Sequence, residues 1–319
     1  MRAHHIMELS NRKEKGMKVF VDGSAGTTGL EIVKRLGERK DITLVALSDE
    51  LRKDPSARKD ALCRADLAIL CLPDDAAVEA VSFAQGSGVK IIDASTAHRV
   101  DPTFVYGFPE LKGQREKIKA ATRVANPGCH ASGFIALVAP LVAAGVLDKN
   151  APLSCFSLTG YTGGGKKMIA EYQGAAGALD APRQYATGQT HKHLKEMVAV
   201  TGISHPPVFL PVVGAFPRGM QVSVPLSPDW LSCGAAGIKE IYRDLYRDGG
   251  VVRFDDSTLP SMPADLLAGK DSMAISVVGN EDRLVAIASF DNLGKGASGA
   301  ALQNMNVMLG AQETLGLNL

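Results

Sequence analysis

The sequence of 319 residues has no long apolar run and no surplus of charge of either sign. A membrane-spanning helix needs about 20 consecutive apolar residues, so no membrane partner is expected. The formal net charge of +1 at pH 7 provides no overall field to attract nucleic acid or an anionic membrane surface. Any anion must therefore be held locally, and the expected partner is a small-molecule substrate.

Cysteine is scarce, and its pattern excludes two kinds of site. The five cysteines are odd in number and are nowhere spaced C-x-x-C, so neither a disulfide framework nor a thiolate zinc site is indicated. Free cysteines favour a reducing cytoplasm. Residues 1–16 have no signal-peptide core and are expected to be a flexible tail, or an upstream start before Met17. Four of the cysteines are expected to be small buried apolar residues: Cys63, Cys71, Cys155 and Cys233.

Short apolar runs alternate with helical patterns from Met17 onward. The runs "MKVFVDG", "ITLVALS", "ADLAILCLP" and "VKIIDAS" are typical of parallel strands covered on both faces. They predict a doubly wound α/β (Rossmann) NADP-binding domain over residues 17–148. Glycine-rich turns and alternating segments then predict an α+β catalytic domain over 149–295 with a mainly antiparallel sheet. A C-terminal helix over 296–319 is expected to pack back on the first domain.

Three glycines, Gly23, Gly26 and Gly29, follow the first strand and open the first helix. Glycine lets a turn close and lets the backbone approach a pyrophosphate, which the helix N-terminus attracts. The spacing is G-x-x-G-x-x-G, so the strand, loop and helix context predicts dinucleotide binding better than the motif alone. Further cofactor contacts are expected from the same loop and from the ends of two later strands: Ser24, Thr27, Thr28, Pro73 and Ser95.

The second strand ends in "LSDELRKD", about 20 residues beyond the glycines, where ribose recognition is expected. Ser48, Arg52 and Lys53 at this point would favour a 2′-phosphate, and hence NADP. Asp49 and Glu50 leave NAD open, because a carboxylate can bind the ribose hydroxyls. The alternative is a solvated charged loop.

Cys129 lies in a different setting from the other cysteines. It follows Asn126-Pro127-Gly128 and precedes "ASGFIALVAPLVAAG", which predicts an amphipathic helix whose N-terminal dipole would favour the thiolate. A thiolate nucleophile needs a histidine partner. The segment "GQTHKHLKEM" offers His191 or His193, with Glu196 on the same face of a helix that starts there. The other histidines considered, His98, His130 and His205, are expected to be ordinary polar residues.

A cysteine nucleophile beside a nicotinamide cofactor points to attack on an activated acyl carbon or an aldehyde, coupled to hydride transfer. Candidate phosphate or carboxylate sites are Arg99, Lys166, Lys167 and Arg218. No cluster completes a metal ligand shell around His191 and His193, so no metal is expected. Two other classes stay open: a cysteine hydrolase or transferase, which needs no glycine loop, and a redox-sensing NADP-binding module without turnover.

The motifs together resemble the N-acetyl-gamma-glutamyl-phosphate reductase family in its shorter form. The resemblance runs from Met17 to the end and rests on "GSAGTTG", "YGFPEL", "ANPGCHAS", "GYTGGGKK", "HKHLKE", "FPRGM" and "FDNLGKGASGAALQNMN". It implies that NADPH binds the first domain and that Cys129 attacks the acyl phosphate of N-acetyl-L-glutamyl 5-phosphate. Hydride transfer to the thioester would then yield N-acetyl-L-glutamate 5-semialdehyde, in arginine biosynthesis.

The resemblance also implies roles for individual residues. His191 or His193 would be the acid and base, and Asn292 and the Lys295 loop would return to the cofactor. The predicted substrate contacts include Asn126 and Gly163, and the subunits would form a homodimer or homotetramer. Related reductases that act on aspartyl phosphate or on a carrier-bound aminoadipyl phosphate share the chemistry and are the alternative.

Overall fold

A six-stranded and a seven-stranded β-sheet make up the structure, a computed structural model that describes residues 16–174, 177–246, 250–257 and 259–319. The expected tail lies outside the described residues apart from Gly16. None of the helices in these ranges combines the length and apolar composition that crossing a membrane would require.

The first sheet has six parallel strands in the order β2-β1-β3-β4-β6-β5. Its strands are β1 (Met17–Asp22), β2 (Ile42–Val45), β3 (Leu67–Leu70), β4 (Lys90–Asp93), β5 (Val105–Tyr106) and β6 (Arg123–Ala125). Four helices connect them: α1 (Thr27–Gly37), α2 (Pro55–Arg64), α3 (Asp74–Phe83) and α4 (Gln114–Ala120).

Both faces of this sheet are covered, as the near-continuous apolar strands require. Along β1, Val19 and Val21 pack in a cluster with α1, whereas Phe20 faces the opposite way into a cluster with α2. The doubly wound architecture predicted from the sequence is confirmed.

Helix α5 (Cys129–Ala143) begins at Cys129, as predicted, but it is not amphipathic. Every residue from His130 to Leu141 is buried, because the second sheet and other helices surround it. Gly133, for example, leaves no room for a side chain against Val222 and Phe290. An apolar helix without a polar face is typical of such a central position.

The second sheet has seven strands in the order β11-β12-β13-β10-β7-β9-β8. They are β7 (Ser154–Gly160), β8 (Arg183–Gln184), β9 (Val208–Gly214), β10 (Met220–Leu226), β11 (Val252–Phe254), β12 (Met273–Asn280) and β13 (Arg283–Phe290). Among the described strands of this sheet, only β7 with β9 and β11 with β12 pair in parallel, so the predicted mainly antiparallel sheet is confirmed.

The remaining helices are α6 (Gly165–Gly174), α7 (His193–Thr201), α8 (Ala235–Leu245) and α9 (Gly299–Leu309), with short 3₁₀ turns at Tyr161–Gly164 and Pro228–Trp230. A π-helical turn, Gly294–Ser298, joins β13 to α9. The side chains of β10 alternate: Met220, Val222 and Val224 are buried in the cluster that contains α5. The opposite face of this sheet carries Phe156 and Val208, which are 40% and 56% exposed.

Helix α9 packs on the first sheet, as expected. Leu302, Met305 and Met308 lie in one apolar cluster with Val19 and Val21. The prediction of helix as far as residue 319 is wrong beyond Leu309, because Gly310 adopts a left-handed conformation that ends the helix.

The cysteines also differ from expectation. Cys155 is buried, Cys71 and Cys233 are partly buried, and Cys63 is exposed. The expectation of a buried apolar cysteine is therefore wrong for Cys63.

Candidate active site

A cavity of about 450 Å³ lies between the two sheets, and Cys129 forms part of its wall. The cavity brings together predicted residues from distant parts of the chain. Those that line it with Cys129 are Thr28, Arg99, Asn126, Gly163, His191, His193 and Asn292.

Cys129 is the first residue of α5 and follows Gly128, whose backbone is extended. Burial raises the pKa of the Cys129 thiol to about 11, against the smaller lowering effects of the Arg99 charge and the His130 backbone N–H. The helix N-terminus thus acts in the predicted direction, but burial outweighs it. The resting side chain at neutral pH is the protonated thiol, which needs a base before it can act as a nucleophile.

Three functional side chains converge on the backbone beside Cys129. A Cβ atom at Gly128 would overlap Nη1 of Arg99, Nε2 of His193 and Oε1 of Glu196. Glycine at this position therefore allows these groups to approach the nucleophile from one side.

Glu196 organises this side of the cavity. Its carboxylate, 1% exposed, accepts hydrogen bonds from Nη1 of Arg99 at 2.7 Å, from the Tyr106 hydroxyl at 2.7 Å and from the Gly128 N–H at 3.1 Å. Glu196 and His193 lie on the same face of α7, as predicted, but His193 Nε2 is 3.9 Å from Oε1, beyond hydrogen-bonding distance. The carboxylate thus holds Arg99 and the turn before Cys129.

The two candidate bases, the buried His193 and the half-buried His191, are uncharged. Burial lowers the pKa of His193 well below 6.5 and the pKa of His191 to about 4, with nearby positive charges acting in the same direction. Both imidazoles are therefore neutral at pH 7, which is the form that accepts a proton, and the lowered pKa makes each a weaker base than a solvated histidine. Nδ1 of His191 accepts the His193 backbone N–H at 3.2 Å.

His130 also lines the cavity, although the sequence singled out only its neighbour Cys129. Its Nδ1 is 2.7 Å from the Ser157 hydroxyl and its Nε2 is 2.5 Å from the Tyr185 hydroxyl. The centre of its ring is 5.5 Å from the ring centres of both His191 and His193. Burial lowers the pKa of His130 to about 3, so the site contains three neutral imidazoles at pH 7.

A cleft of about 500 Å³ lies beside the glycine loop. Gly23, Ser24 and Gly26 line it together with Pro73, and Arg52 and Lys53 lie at the same cleft. Gly23 has φ of +82°, and a Cβ there would overlap the carbonyl oxygen of Cys71, so the turn requires glycine.

The residues of this cleft fit a dinucleotide. The Thr27 hydroxyl at the start of α1 is buried without a hydrogen-bond partner, next to the free N–H groups of the helix N-terminus, which attract phosphate. A connecting cleft lined by Thr28, Gly29 and Lys166 joins this region to the Cys129 cavity, since Thr28, Gly163 and Leu293 border both.

Comparison with known proteins agrees with this arrangement. Residues 18–121 match the family described as "Semialdehyde dehydrogenase, NAD binding domain", and residues 129–292 match "Semialdehyde dehydrogenase, dimerisation domain". The chain is 46% identical to N-acetyl-gamma-glutamyl-phosphate reductase 2 of Nostoc sp., covering 94% of this chain and 99% of the relative. The chain belongs to the N-acetyl-gamma-glutamyl-phosphate reductase family. A second relative, N-acetyl-gamma-glutamyl-phosphate reductase of Brucella ovis, is 46% identical, with coverage of 92% and 99%.

The fold of this reductase family member is also found in solved structures. Aspartate semialdehyde dehydrogenase II from Vibrio cholerae superposes with a TM-score of 0.72 at 16% identity, covering 92% of this chain and 99% of that one. Aspartate semialdehyde dehydrogenase with NADP from Candida albicans gives a TM-score of 0.65 at 16% identity, with coverage of 93% and 99%. At this identity the likeness establishes the shared two-sheet fold.

Several residues predicted for this reductase-family site lie away from the cavity walls. Ser95 is buried and donates to Oδ2 of Asp93 at 2.7 Å, and the Ser48 carbonyl caps the turn that carries Arg52. Lys295 is 1% exposed and donates to Glu110 at 2.7 Å, although its neighbours Leu293 and Gly296 do line the Cys129 cavity. Cofactor contacts by Ser48 and Ser95 stay predictions.

Arg218 also lies outside the lining of the Cys129 cavity. Its guanidinium donates twice to the Asp291 carboxylate, at 2.9 Å each, and once to Glu31 at 2.8 Å. Because Arg218 does not line the Cys129 cavity, a substrate contact by Arg218 stays a prediction.

Sequence reasoning missed Tyr106, Tyr185 and Ser157. Tyr106 stands in "YGFPEL", which served only as a motif of the resemblance, whereas Tyr185 and Ser157 carry no local signal. Among the described residues, no three His, Cys, Asp or Glu side chains are grouped as metal ligands would be.

Proposed function

We propose that the protein is an NADP-dependent oxidoreductase that reduces N-acetyl-L-glutamyl 5-phosphate to N-acetyl-L-glutamate 5-semialdehyde and phosphate, in arginine biosynthesis. One observation carries the proposal: Cys129, neutral histidines and Arg99 meet in a cavity that is continuous with a dinucleotide cleft. Relatives that are 46% identical, and that match over 99% of their own length, bear the name of this activity.

The first step is attack by Cys129. Since the thiol is protonated at rest, His193 or His191 accepts its proton, and the positive charge of Arg99 favours the thiolate so formed. The sulfur then bonds to the acyl carbon, the bond to the phosphate oxygen breaks, and phosphate leaves with its electron pair. The chain now carries a thioester on Cys129.

Bound NADPH supplies the hydride that reduces this thioester to the oxidation level of an aldehyde. The protein holds Cys129 in the cavity wall that also contains Thr28 and Leu293. The cavity excludes water that would hydrolyse the thioester. Collapse of the reduced adduct expels the Cys129 thiolate, which regains its proton from the histidine. Backbone N–H groups at the start of α5 stabilise the oxyanion in both steps.

The proposed substrate contacts are Arg99, Asn126, Gly163 and Lys166. Arg99 and Asn126 line the Cys129 cavity, and Lys166 borders the connecting cleft, so the phosphate and the carboxylate of the substrate each have a cation within the site. For the cofactor, Arg52 and Lys53 at the glycine-loop cleft support recognition of a 2′-phosphate, and hence NADP over NAD.

We further propose a homodimer or homotetramer located in the cytoplasm. The exposed Phe156 and Val208 on the open face of the second sheet suit burial against a second copy, and the matching family segment is described as a dimerisation domain. The free cysteines suit a reducing compartment.

The test is the reverse reaction: phosphate-dependent formation of NADPH from N-acetylglutamate semialdehyde, with aspartate semialdehyde in parallel. We expect turnover of the N-acetylated substrate only. Cys129→Ser should abolish turnover while NADP still binds, and the control Cys63→Ser should retain it because Cys63 is exposed away from the cavity. Turnover of aspartate semialdehyde alone would move the assignment to the alternative, and full activity of Cys129→Ser would overturn the nucleophile.

A further inference from the structure

We propose that Asp291 and Arg218 are positioning residues that fix the loop covering Cys129 and couple it to the cofactor-binding helix α1. The inference rests on the proposed function, since the coupling would align the Cys129 thioester with the bound cofactor.

The Asp291 carboxylate is the centre of the arrangement. It is fully buried and accepts backbone N–H groups of Gly269 at 2.6 Å, Leu293 at 2.8 Å and Gly294 at 2.7 Å, in addition to the two bonds from Arg218. Its own carbonyl accepts the Gly296 N–H at 3.0 Å. Because five N–H groups donate to this one carboxylate, the start of the π-helical turn is held in a fixed position.

This turn covers the nucleophile. Leu293 and Gly296 line the Cys129 cavity, and a Cβ on Gly296 would lie 3.0 Å from Cβ of Cys129. Asn292 is held on the same side, because its Oδ1 accepts the Gly219 N–H at 3.0 Å and its Nδ2 donates to Thr162 at 2.9 Å. A shift of the turn would therefore change the wall against which Cys129 reacts.

Arg218 extends the arrangement to the first sheet. Its Nη1 donates to Oε1 of Glu31 at 2.8 Å, and Glu31 lies on α1, two residues after Gly29 of the glycine loop. The ion pairs thus run from the helix that begins at the cofactor cleft, through Arg218, to the turn over Cys129. Domains that meet through a polar interface are expected to move relative to each other. The ion pairs of Arg218 restrict this motion between the two halves of the active site.

A matched control exists on the same helix. Arg35 pairs with Asp271, which also joins α1 to the second half of the chain, but its hydrogen bonds run to Asp271 and the Gly316 carbonyl rather than to Asp291. Removing either ion pair would cost stability. Only loss of the Arg218 contacts should disturb the loop over Cys129.

The experiment compares Arg218→Met, Glu31→Gln and Arg35→Gln with the unsubstituted chain. Without substrate or cofactor, iodoacetamide labelling of Cys129 is measured by mass spectrometry relative to the exposed Cys63. In the reductase assay, kcat and the KM for each substrate are measured, and thermal unfolding is recorded for every variant. Arg218→Lys is the second variant, should Arg218→Met fail to fold.

We expect Arg218→Met to raise the Cys129 to Cys63 labelling ratio about threefold or more and to lower kcat by about 10- to 100-fold, because an ångström of misplacement has effects of this size. Arg218→Lys should fall between it and the unsubstituted chain. Glu31→Gln should lower kcat by about threefold with an unchanged labelling ratio, since Asp291 keeps its partner and only the coupling to α1 is lost. Arg35→Gln should lower the unfolding temperature while leaving both readouts unchanged.

The proposal is overturned if the Arg218 variants lower the unfolding temperature as Arg35→Gln does but leave the labelling ratio and kcat unchanged. If the Arg218 variants change the labelling ratio but the unsubstituted chain shows no reductase turnover, the positioning role is retained and the proposed function is rejected.

Discussion

Neutralising Glu196 should make Cys129 more reactive and the enzyme less active. Glu196 raises the pKa of the Cys129 thiol, whereas Arg99 lowers it. In Glu196→Gln the Arg99 charge loses its counter-charge, so the thiol pKa falls from its value of about 11. A fall of about one unit makes the thiolate fraction, and the alkylation rate at pH 8, about tenfold larger.

The same substitution should damage the site. The amide of glutamine cannot accept from Arg99, Tyr106 and Gly128 together, because one of its two ends is a donor. Breaking a buried ion pair costs about 3–5 kcal/mol. We expect Glu196→Gln to lower the free energy of unfolding by about 3 kcal/mol, the lower end of this range. Arg99 limits the loss because it keeps its hydrogen bonds to the carbonyls of Asn126 and Ala94. Displacement of the Gly128 turn should lower kcat by about 100-fold.

The assay measures iodoacetamide labelling of individual cysteines at pH 8, urea unfolding and turnover. The buried Cys155 reports unfolding, and its labelling should stay slow. Glu313→Gln is the control, because it removes a carboxylate paired with Arg115 away from the cavity. Slower or unchanged labelling of Cys129 in folded Glu196→Gln would refute the electrostatic reasoning.

Three further predictions follow from the same geometry. Gly128→Ala should lose nearly all turnover because its Cβ would overlap Arg99, His193 and Glu196, whereas Gly37→Ala, which has open space around it, should keep wild-type kcat. Burial lowers the folded-state pKa of His130 and His193 below the unfolded value of 6.5, so the unfolded chain takes up protons first. This contribution to stability should be complete above pH 6.5 and decline below it, by about 2 kcal/mol at pH 5 for His130, with His193 acting in the same direction. Urea titrations at pH 7.5 and 5 would show this, and an unchanged midpoint would contradict it. Arg52→Ala should raise the KM for NADPH more than that for NADH, and an equal effect on both would count against 2′-phosphate recognition there.

Much of the fold was predictable because its signals are local. The apolar strands from Met17 to Asp93 and the turn at Gly23 depend on neighbouring residues. The start of α5 at Cys129 and the shared face of His193 and Glu196 follow from helical spacing within a few residues. Each of these predictions is confirmed.

The wrong or missing predictions concern partners that are distant in sequence. Helix α5 was predicted to have a polar face, but the second sheet and helices from other parts of the chain cover it on all sides. His130 meets Ser157 and Tyr185, 27 and 55 residues away. Arg218 pairs with Asp291, which lies 73 residues later in the chain, and with Glu31, which lies 187 residues earlier. No local sequence pattern indicates either pairing.

By itself the sequence determined the order of strands and helices, the glycine turn at the first helix and the placement of Cys129 at a helix N-terminus. These features follow from side-chain periodicity and backbone preference over a few residues. Only the tertiary structure decided that Cys129 rests as a thiol, that three histidines are neutral and that Arg218 pairs with Asp291 and Glu31. The reason is physical: desolvation and charge pairing are set by whatever segments pack around a group, and those segments come from the whole chain.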